Sequence, residues 1–324
     1  MSSVPDPEST LLRKPAQLRP GDTIGVVSPA GPLNDERLER LQSAIRYLEN
    51  KGYNVVLGRY LRERHGYLAG SDDMRADDVN DMLRRDDVQA IFCTRGGYGL
   101  TRILEKIDYS AAMSQPKIML GYSDVTALQM ALLTQARMIS FSGPMIAIEL
   151  GADPAPMTED SMWSMLTSDV SEISMDELSD DLAHIMSGGK AEGRLIGGCL
   201  SVLVSILGTP YMPDMNGTIL LLEDIGEELY KIDRYLSQLK NAGILDAVKG
   251  VLLGRFVDIA ADENDNPIQL QDVLNFYFGS LKVPVLVNIP YGHSSLNLTL
   301  PIGCPVQLDA DNHKVRLLES CFAP

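Results

Sequence analysis

The strongest constraint on this chain is the alternation of short β-branched runs with helix-spaced segments through its first half. Thr23–Ser28 (TIGVVS) ends in PAGP, which is turn chemistry. Asp35–Asn50 then places Leu38, Leu41, Ile45 and Leu48 on one helical face. Tyr53–Leu57 (YNVVL) reads as a strand, and a polar helix follows at about Met74–Arg85. Val88–Thr94 (VQAIFCT) is a strand that stops at RGGYG, and Leu100–Ile107 reads as a short helix. Lys117–Leu120 leads into GYSD, Val125–Gln135 is the helix after it, and Ile139–Phe141 gives one more strand. Such alternation predicts an α/β fold with a mostly parallel sheet covered on both faces. Ligands of such sheets bind beyond the carboxyl ends of the strands. Three glycine-containing loops, SPAGP, RGGYG and GYSD, are expected to meet there.

The second half follows a different pattern. One long uncharged run, Leu195–Pro213, is broken by glycines, serines and Pro210, which predicts a buried helix with flanking loops in place of a membrane span. Thr218–Leu222 (TILLL) is a strand running straight into Glu223. Ile232, Tyr235, Leu236 and Leu239 mark an amphipathic helix. Val248–Phe256 and Val283–Ile289 read as strands, and Val306–Leu308 with Lys314–Leu318 as a terminal hairpin around DADNH. Between Arg137 and Lys190 there is no Lys or Arg, while acids recur from Glu149 to Asp181. The expected organisation is an α/β domain over 14–150, an acidic connection over 151–190, and a smaller β-rich domain over 191–324.

Charge limits the partners. Lys and Arg total 28 against 44 Asp and Glu, a net −16 that repels phosphate backbones and anionic membranes. No nucleic-acid or membrane partner is expected. Cys93, Cys199, Cys304 and Cys321 show no metal or redox spacing, which points to free thiols in a reducing compartment. Four histidines without ligand spacing give no metal site. The first residues, MSSVPDPESTLLRKPAQLRPGD, lack a basic segment followed by an apolar one, so no signal peptide is read.

Three residues attract chemical interest. Ser123 stands between an apolar strand and a helix. A serine there either caps the helix or is held at a sharp elbow as a nucleophile, and spacing leaves both open. The motif is not GxSxG, because Val125 follows two residues later. His293 in IPYGHSSLNLTLPIG follows a strand end and is the best-placed histidine for base work. Glu223, at the end of an apolar strand, suits a group that orients a histidine. Asp224, Glu227 and Glu228 read as surface acids, and Cys93 as a buried, inert thiol. Backbone amides at Gly97 and Asp124 are candidates for an oxyanion hole.

Taken in order, GDTIGVVSPAGP, YLAGSDDMRADDVNDML, AIFCTRGGYGLTRIL, GYSDVTAL, GGCLSVLVSILGTPY, LLLEDIGEELYKIDRYL and IPYGHSSLNLTLPIG resemble the blocks of the LD-carboxypeptidase family. The similarity runs from about Lys14 to Leu318. It implies a flavodoxin-like N-terminal domain and a swivelling β-rich C-terminal domain. It also implies a cytoplasmic homodimer that needs no cofactor and trims D-alanine from murein tetrapeptides. The family pattern places the nucleophile at Ser123, the triad carboxylate at Glu223 and the histidine at His293. Two positions depart from it: Cys199 stands where asparagine is usual, and Ser142 where histidine is usual.

A carboxypeptidase must recognise a free carboxylate, so a cation near the crevice is expected. Arg95, Lys231 and Arg234 are candidates, with Tyr98 beside them. Two other functions compete. One is hydrolysis of a microcin-type peptidyl-nucleotide, which needs a platform for a nucleobase; the only tryptophan, Trp163, is its candidate. The other is a non-catalytic muropeptide-binding protein, against which the intact triad argues.

Overall fold

The computed structural model describes residues 11–176, 183–260 and 267–324. The part of the acidic connection at 177–182, and the start of the N-terminal reading at 1–10, lie outside them.

The first sheet contains β1 (Thr23–Val27), β2 (Asn54–Leu57), β3 (Ala90–Cys93), β4 (Ile118–Leu120) and β5 (Ser140–Ser142). Its spatial order is β2-β1-β3-β4-β5, all parallel, the flavodoxin-like order. The strands are short, and all but the edge strand β2 are almost wholly buried, as expected when helices cover both faces. The order reverses between β1 and β3, so the crevice lies beyond their carboxyl ends, where SPAGP and RGGYG stand.

Helices α1 (Asp35–Asn50), α2 (Asp72–Arg84), α3 (Tyr109–Ser114) and α4 (Val125–Ala136) connect these strands. Asn34 caps α1 by accepting from the Arg37 amide, and Ser71 caps α2 by accepting from Met74. Where one helix was expected at Leu100–Ile107, the chain makes two short 3₁₀ turns, Leu100–Arg102 and Leu104–Lys106. Their amides reach back three residues, as in Ile103 to Leu100 at 3.0 Å.

The second sheet has eight strands among the described residues, against six in the first, so the second unit is not the lesser in strand number. It begins inside the expected connection with β6 (Glu172–Ser174) and β7 (His184–Ser187), after helix α5 (Pro156–Thr167). It continues with β8 (Lys190–Cys199), β9 (Ile219–Ile225), β10 (Gly250–Val257) and β11 (Val285–Val287). One late strand, β12 (Leu300–Ile302), crosses over and pairs antiparallel with β5 in the first sheet. The hairpin of β13 (Pro305–Asp309) and β14 (Lys314–Leu317) closes the chain, as the spacing predicted. Helices α6 (Leu200–Ser205), α7 (Leu229–Asn241), α8 (Ile244–Ala247) and α9 (Leu270–Phe278) pack around this sheet. The sequence reading had no element at α9.

The run Leu195–Pro213 is not a helix at its start. Its first part is the end of β8, and α6 begins only at Leu200. The glycines explain this. Gly197 and Gly198 have φ of +136° and +144°, and a Cβ on Gly197 would lie 1.9 Å from the Leu221 carbonyl oxygen. Only glycine lets β8 lie this close to β9.

Candidate active site

Ser123 sits one residue before the N-cap of α4, with φ +64°. That region costs a residue with a Cβ about 1–2 kcal/mol, so the surrounding structure must hold it there. It does so from two sides. The buried Gln129 side chain donates to the carbonyls of Gly121 and Phe141, each at 2.9 Å, and fixes the strand end. On the other side Gly96 presses against the elbow, since a Cβ there would fall 2.7 Å from both Cβ and Oγ of Ser123. The Asp124 carboxylate ties the elbow to RGGYG by accepting from the Leu100 amide at 2.9 Å. Burial raises the Asp124 carboxyl to about 6, against the opposing Leu100 hydrogen bond and the charge of Arg75. The Ser123 side chain accepts from no helix amide among the described residues, and the cap of α4 has no side-chain bond.

Glu223 lies on β9, fully buried, in register with Cys199 of β8. Its Oε2 accepts from the His293 amide at 3.3 Å and stands 2.7 Å from His293 Nδ1. Glycines make room for it: a Cβ on Gly292 would lie 2.6 Å from Oε2, and one on Gly254 3.1 Å from the Glu223 Cβ. His293 Nε2 stands 2.9 Å from Ser123 Oγ. Asn297 steadies the histidine loop by accepting from the Gly292 amide at 3.2 Å.

The His293 imidazole meets opposing influences. Burial lowers its pKa, but the hydrogen bond and charge of Glu223, with the charges of Asp224 and Glu149, raise it above the ordinary value. Its ring packs edge-on against Tyr122 with centroids 4.8 Å apart. The Tyr122 hydroxyl donates to Glu149 Oε1 at 2.6 Å, and Glu149 Oε2 accepts from the Met145 amide at 2.8 Å. Glu149 is thus a second carboxylate behind the site, on the π-helical turn Ile146–Leu150. The sequence reading did not single it out, although a lone acid inside the apolar IAIEL was its available signal.

Asp224 corrects a reading. It is buried and not a surface acid. It holds the start of α6 by accepting from the Ser201 amide at 2.7 Å, and also accepts from the Ile225 amide at 2.8 Å. Glu227 is half-buried and Glu228 exposed.

The remaining candidates fall in two places. Arg95 and Tyr98 line a cavity of about 630 Å³ beside Gly97, together with Gly31, Pro32, Arg64 and Tyr67. Lys231 and Arg234 stand on α7 and are otherwise engaged: Lys231 pairs with Glu228 at 3.1 Å, and Arg234 lies over the Tyr230 ring at 5.1 Å. The amides of Gly97 and Asp124 donate to no protein group among the described residues. The Cys93 thiol is fully buried, and burial with the Asp124 charge pushes it up to about 12, so it is inert at neutral pH. All four cysteines are buried and unbridged. At the two departures, the Cys199 amide donates to Thr126 Oγ1 at 3.1 Å, and Ser142 Oγ shares a hydrogen bond of 2.7 Å with the Tyr291 hydroxyl. Trp163 stacks on Tyr53 with centroids 5.2 Å apart and donates to the Tyr47 hydroxyl at 2.6 Å, so one face of its indole is already covered. No group of side chains among the described residues has the makings of a metal site. No helix among them is long and apolar enough to cross a membrane.

A serine, an imidazole and a carboxylate stand in hydrogen-bonded series between a flavodoxin-like sheet and a β-rich unit, the geometry that nucleophilic hydrolysis requires. Comparison with known proteins agrees. Residues 24–143 match the LD-carboxypeptidase N-terminal domain and residues 192–308 its C-terminal domain. The chain belongs to the LD-carboxypeptidase family, and is a peptidase by that membership. It is 40% identical to the probable murein peptide carboxypeptidase of Bacillus subtilis, over 93% of this chain and 92% of that one. Its structure resembles the muramoyltetrapeptide carboxypeptidase from Oxalobacter formigenes with a TM-score of 0.80 and 33% identity, over 91% of this chain and 97% of that one. It also resembles the wild-type apo form of the microcin C7 self-immunity protein MccF, with a TM-score of 0.88 and 27% identity, over 96% of this chain and 100% of that one.

Proposed function

We propose that this protein is a serine LD-carboxypeptidase that removes the terminal D-alanine from the murein tetrapeptide L-Ala-γ-D-Glu-meso-diaminopimelyl-D-Ala. The observation that carries this reading is the series Ser123 Oγ, His293 and Glu223 at 2.9 and 2.7 Å, with the serine held at φ +64°. His293 Nε2 takes the Ser123 proton as Oγ attacks the diaminopimelate carbonyl. The amides of Gly97 and Asp124 receive the oxyanion, each contributing roughly 3–4 kcal/mol. Glu223 keeps the Nδ1–H directed toward itself and stabilises the imidazolium. That imidazolium then protonates the leaving D-alanine amine. Water, deprotonated by His293, cleaves the resulting ester and restores the serine. The chemistry proposed uses no metal and no organic cofactor.

Arg95 and Tyr98 are proposed substrate contacts, because they line the cavity beside Gly97. Lys231 and Arg234 have less support, since each already has a partner. The domains proposed are residues 14–150 and 191–324, with the site where they meet; β6 and β7, from the stretch between them, join the second sheet, and β12 joins the first. The family resemblance also carries a homodimer, a cytoplasmic location and a place in peptidoglycan recycling.

A second reading, hydrolysis of a peptidyl-nucleotide, is favoured by the structural likeness to MccF. The covered indole face of Trp163 speaks against that residue as a nucleobase platform. Incubating the purified protein with the tetrapeptide and, separately, with a peptidyl-adenylate analogue decides between them. Release of D-alanine, followed by mass spectrometry, supports the carboxypeptidase. Cleavage of the nucleotide conjugate alone overturns it, and turnover of neither favours a binding protein.

A further inference from the structure

The cavity beside Gly97 collects positive charge that the protein leaves unbalanced. Arg95 is half-buried and Arg64 exposed, and neither forms an ion pair among the described residues. No carboxylate stands close enough to raise the Arg95 guanidinium; burial lowers its pKa, and Arg37 lowers it further. In a chain of net charge −16, an arginine cluster without acids marks a place prepared for an anion.

The guanidinium of Arg95 is fixed by backbone. Nη1 donates to the Pro32 carbonyl at 3.1 Å, while Nε is buried without a partner. Gly31 makes the floor, since a Cβ there would lie 3.1 Å from Arg95 Cζ and 2.9 Å from the Gly96 carbonyl oxygen. Over the cavity stand Tyr67 and Tyr98, ring centroids 5.8 Å apart, with 66% and 49% of their surfaces exposed. Two large aromatic rings held together in water are poised to cover a ligand.

Position selects which anion. Gly97 lines this cavity, and its neighbour Gly96 touches the Ser123 side chain. Adjacent α-carbons are about 3.8 Å apart, so a group held here lies within one residue's reach of the scissile carbonyl. In the tetrapeptide only the amide nitrogen and α-carbon of the leaving D-alanine separate its carboxylate from that carbonyl. The α-carboxylate of the γ-linked D-glutamate is much farther away along the chain.

Resting on the carboxypeptidase reading, we infer that Arg95, assisted by Arg64 and covered by Tyr67 and Tyr98, binds the free carboxylate of the terminal D-amino acid. This subsite makes the enzyme an exopeptidase: a blocked C-terminus leaves a half-buried guanidinium without its anion.

The test compares tetrapeptide ending in free D-alanine with the same peptide ending in D-alaninamide, using wild type, Arg95→Ala and Arg64→Ala. A charge-assisted hydrogen bond is expected to cost about 10- to 100-fold in kcat/KM on the free acid when Arg95 is lost. The amide is expected to be a poor substrate for wild type and no worse for Arg95→Ala. Arg64→Ala, at an exposed position, is expected to lose less, again on the acid alone. Equal losses on acid and amide, or no loss on either, overturn the proposal. If wild type cleaves neither peptide, the functional reading fails and binding decides the subsite separately. N-acetyl-D-alanine measured by calorimetry binds wild type and not Arg95→Ala under this proposal, whereas equal affinity for N-acetyl-D-alaninamide overturns it.

Discussion

Gly96 lies against Ser123 so closely that a Cβ on it would sit 2.7 Å from both the Cβ and the Oγ of the serine. The strained elbow and the RGGYG loop are therefore one packed unit. Gly96→Ala is expected to displace the hydroxyl and lower kcat by about 100-fold or more, because a shift near 1 Å at the nucleophile is that costly. The overlap costs about 1–3 kcal/mol of stability, so the protein still folds. Steady-state kinetics beside thermal denaturation checks both halves of this statement.

The pH profile follows from the groups around His293. A general base acts only when neutral, and Glu223, Asp224 and Glu149 raise the His293 pKa. Activity is therefore expected to fall, as pH drops, through an apparent pKa above the ordinary histidine value of about 6.5. Glu223→Gln removes the leading cause of the rise. It is expected to move the acid limb to lower pH and reduce kcat by about 10³- to 10⁴-fold. A limb that stays in place in the variant would mean that another group titrates.

Glu149→Gln tests the second carboxylate. The half-buried Glu149 accepts from the Tyr122 hydroxyl and the Met145 amide, and an amide side chain cannot accept both in the same way. A loss of about 1–3 kcal/mol is expected in denaturant unfolding. The Glu149 charge is one of those that raise the His293 pKa, so its removal is also expected to shift the acid limb of activity to lower pH.

Asp124→Asn carries a signed prediction. The Asp124 carboxyl is raised to about 6 in the folded protein, above its ordinary 3.8, so the folded state binds the proton more tightly than the unfolded chain. Stability is therefore lost as pH rises from about 4 to 6, and the ionised form costs about 2–3 kcal/mol above that range. Asparagine keeps an oxygen for the Leu100 amide and escapes that cost. The variant is expected to be the more stable protein at pH 8 and to lose the advantage near pH 4. Activity persists, because the amide of residue 124 and not its side chain is assigned to the oxyanion. Equal unfolding midpoints at both pH values would contradict this.

Much of the first sheet was legible because its helices bury periodic faces between β-branched runs; α1 lies at the expected Asp35–Asn50. The role proposed for Ser123 was not separable from a helix cap by spacing, since a strand-to-helix turn looks alike in both. The distinguishing facts are a backbone angle at Ser123 and a histidine 170 residues away, and neither is local in sequence. The ordered blocks of the family resemblance supplied that long-range information. Asp224 was misread because adjacent acids on a half-buried strand face opposite sides. The β9 strand is flanked by β8 and β10, and Glu223 and Asp224 are both inside. The crossover strand Leu300–Ile302 is three residues long with Pro301 at its centre, too short to show any period. Its pairing with β5 is a tertiary outcome.

The most direct measurement is D-alanine release from the murein tetrapeptide by the parent protein and by Ser123→Ala, side by side. The account predicts release by the parent and a fall of about 10⁴-fold or more in the variant, with folding unchanged. Equal release by both proteins would contradict it, because the nucleophile would then lie elsewhere.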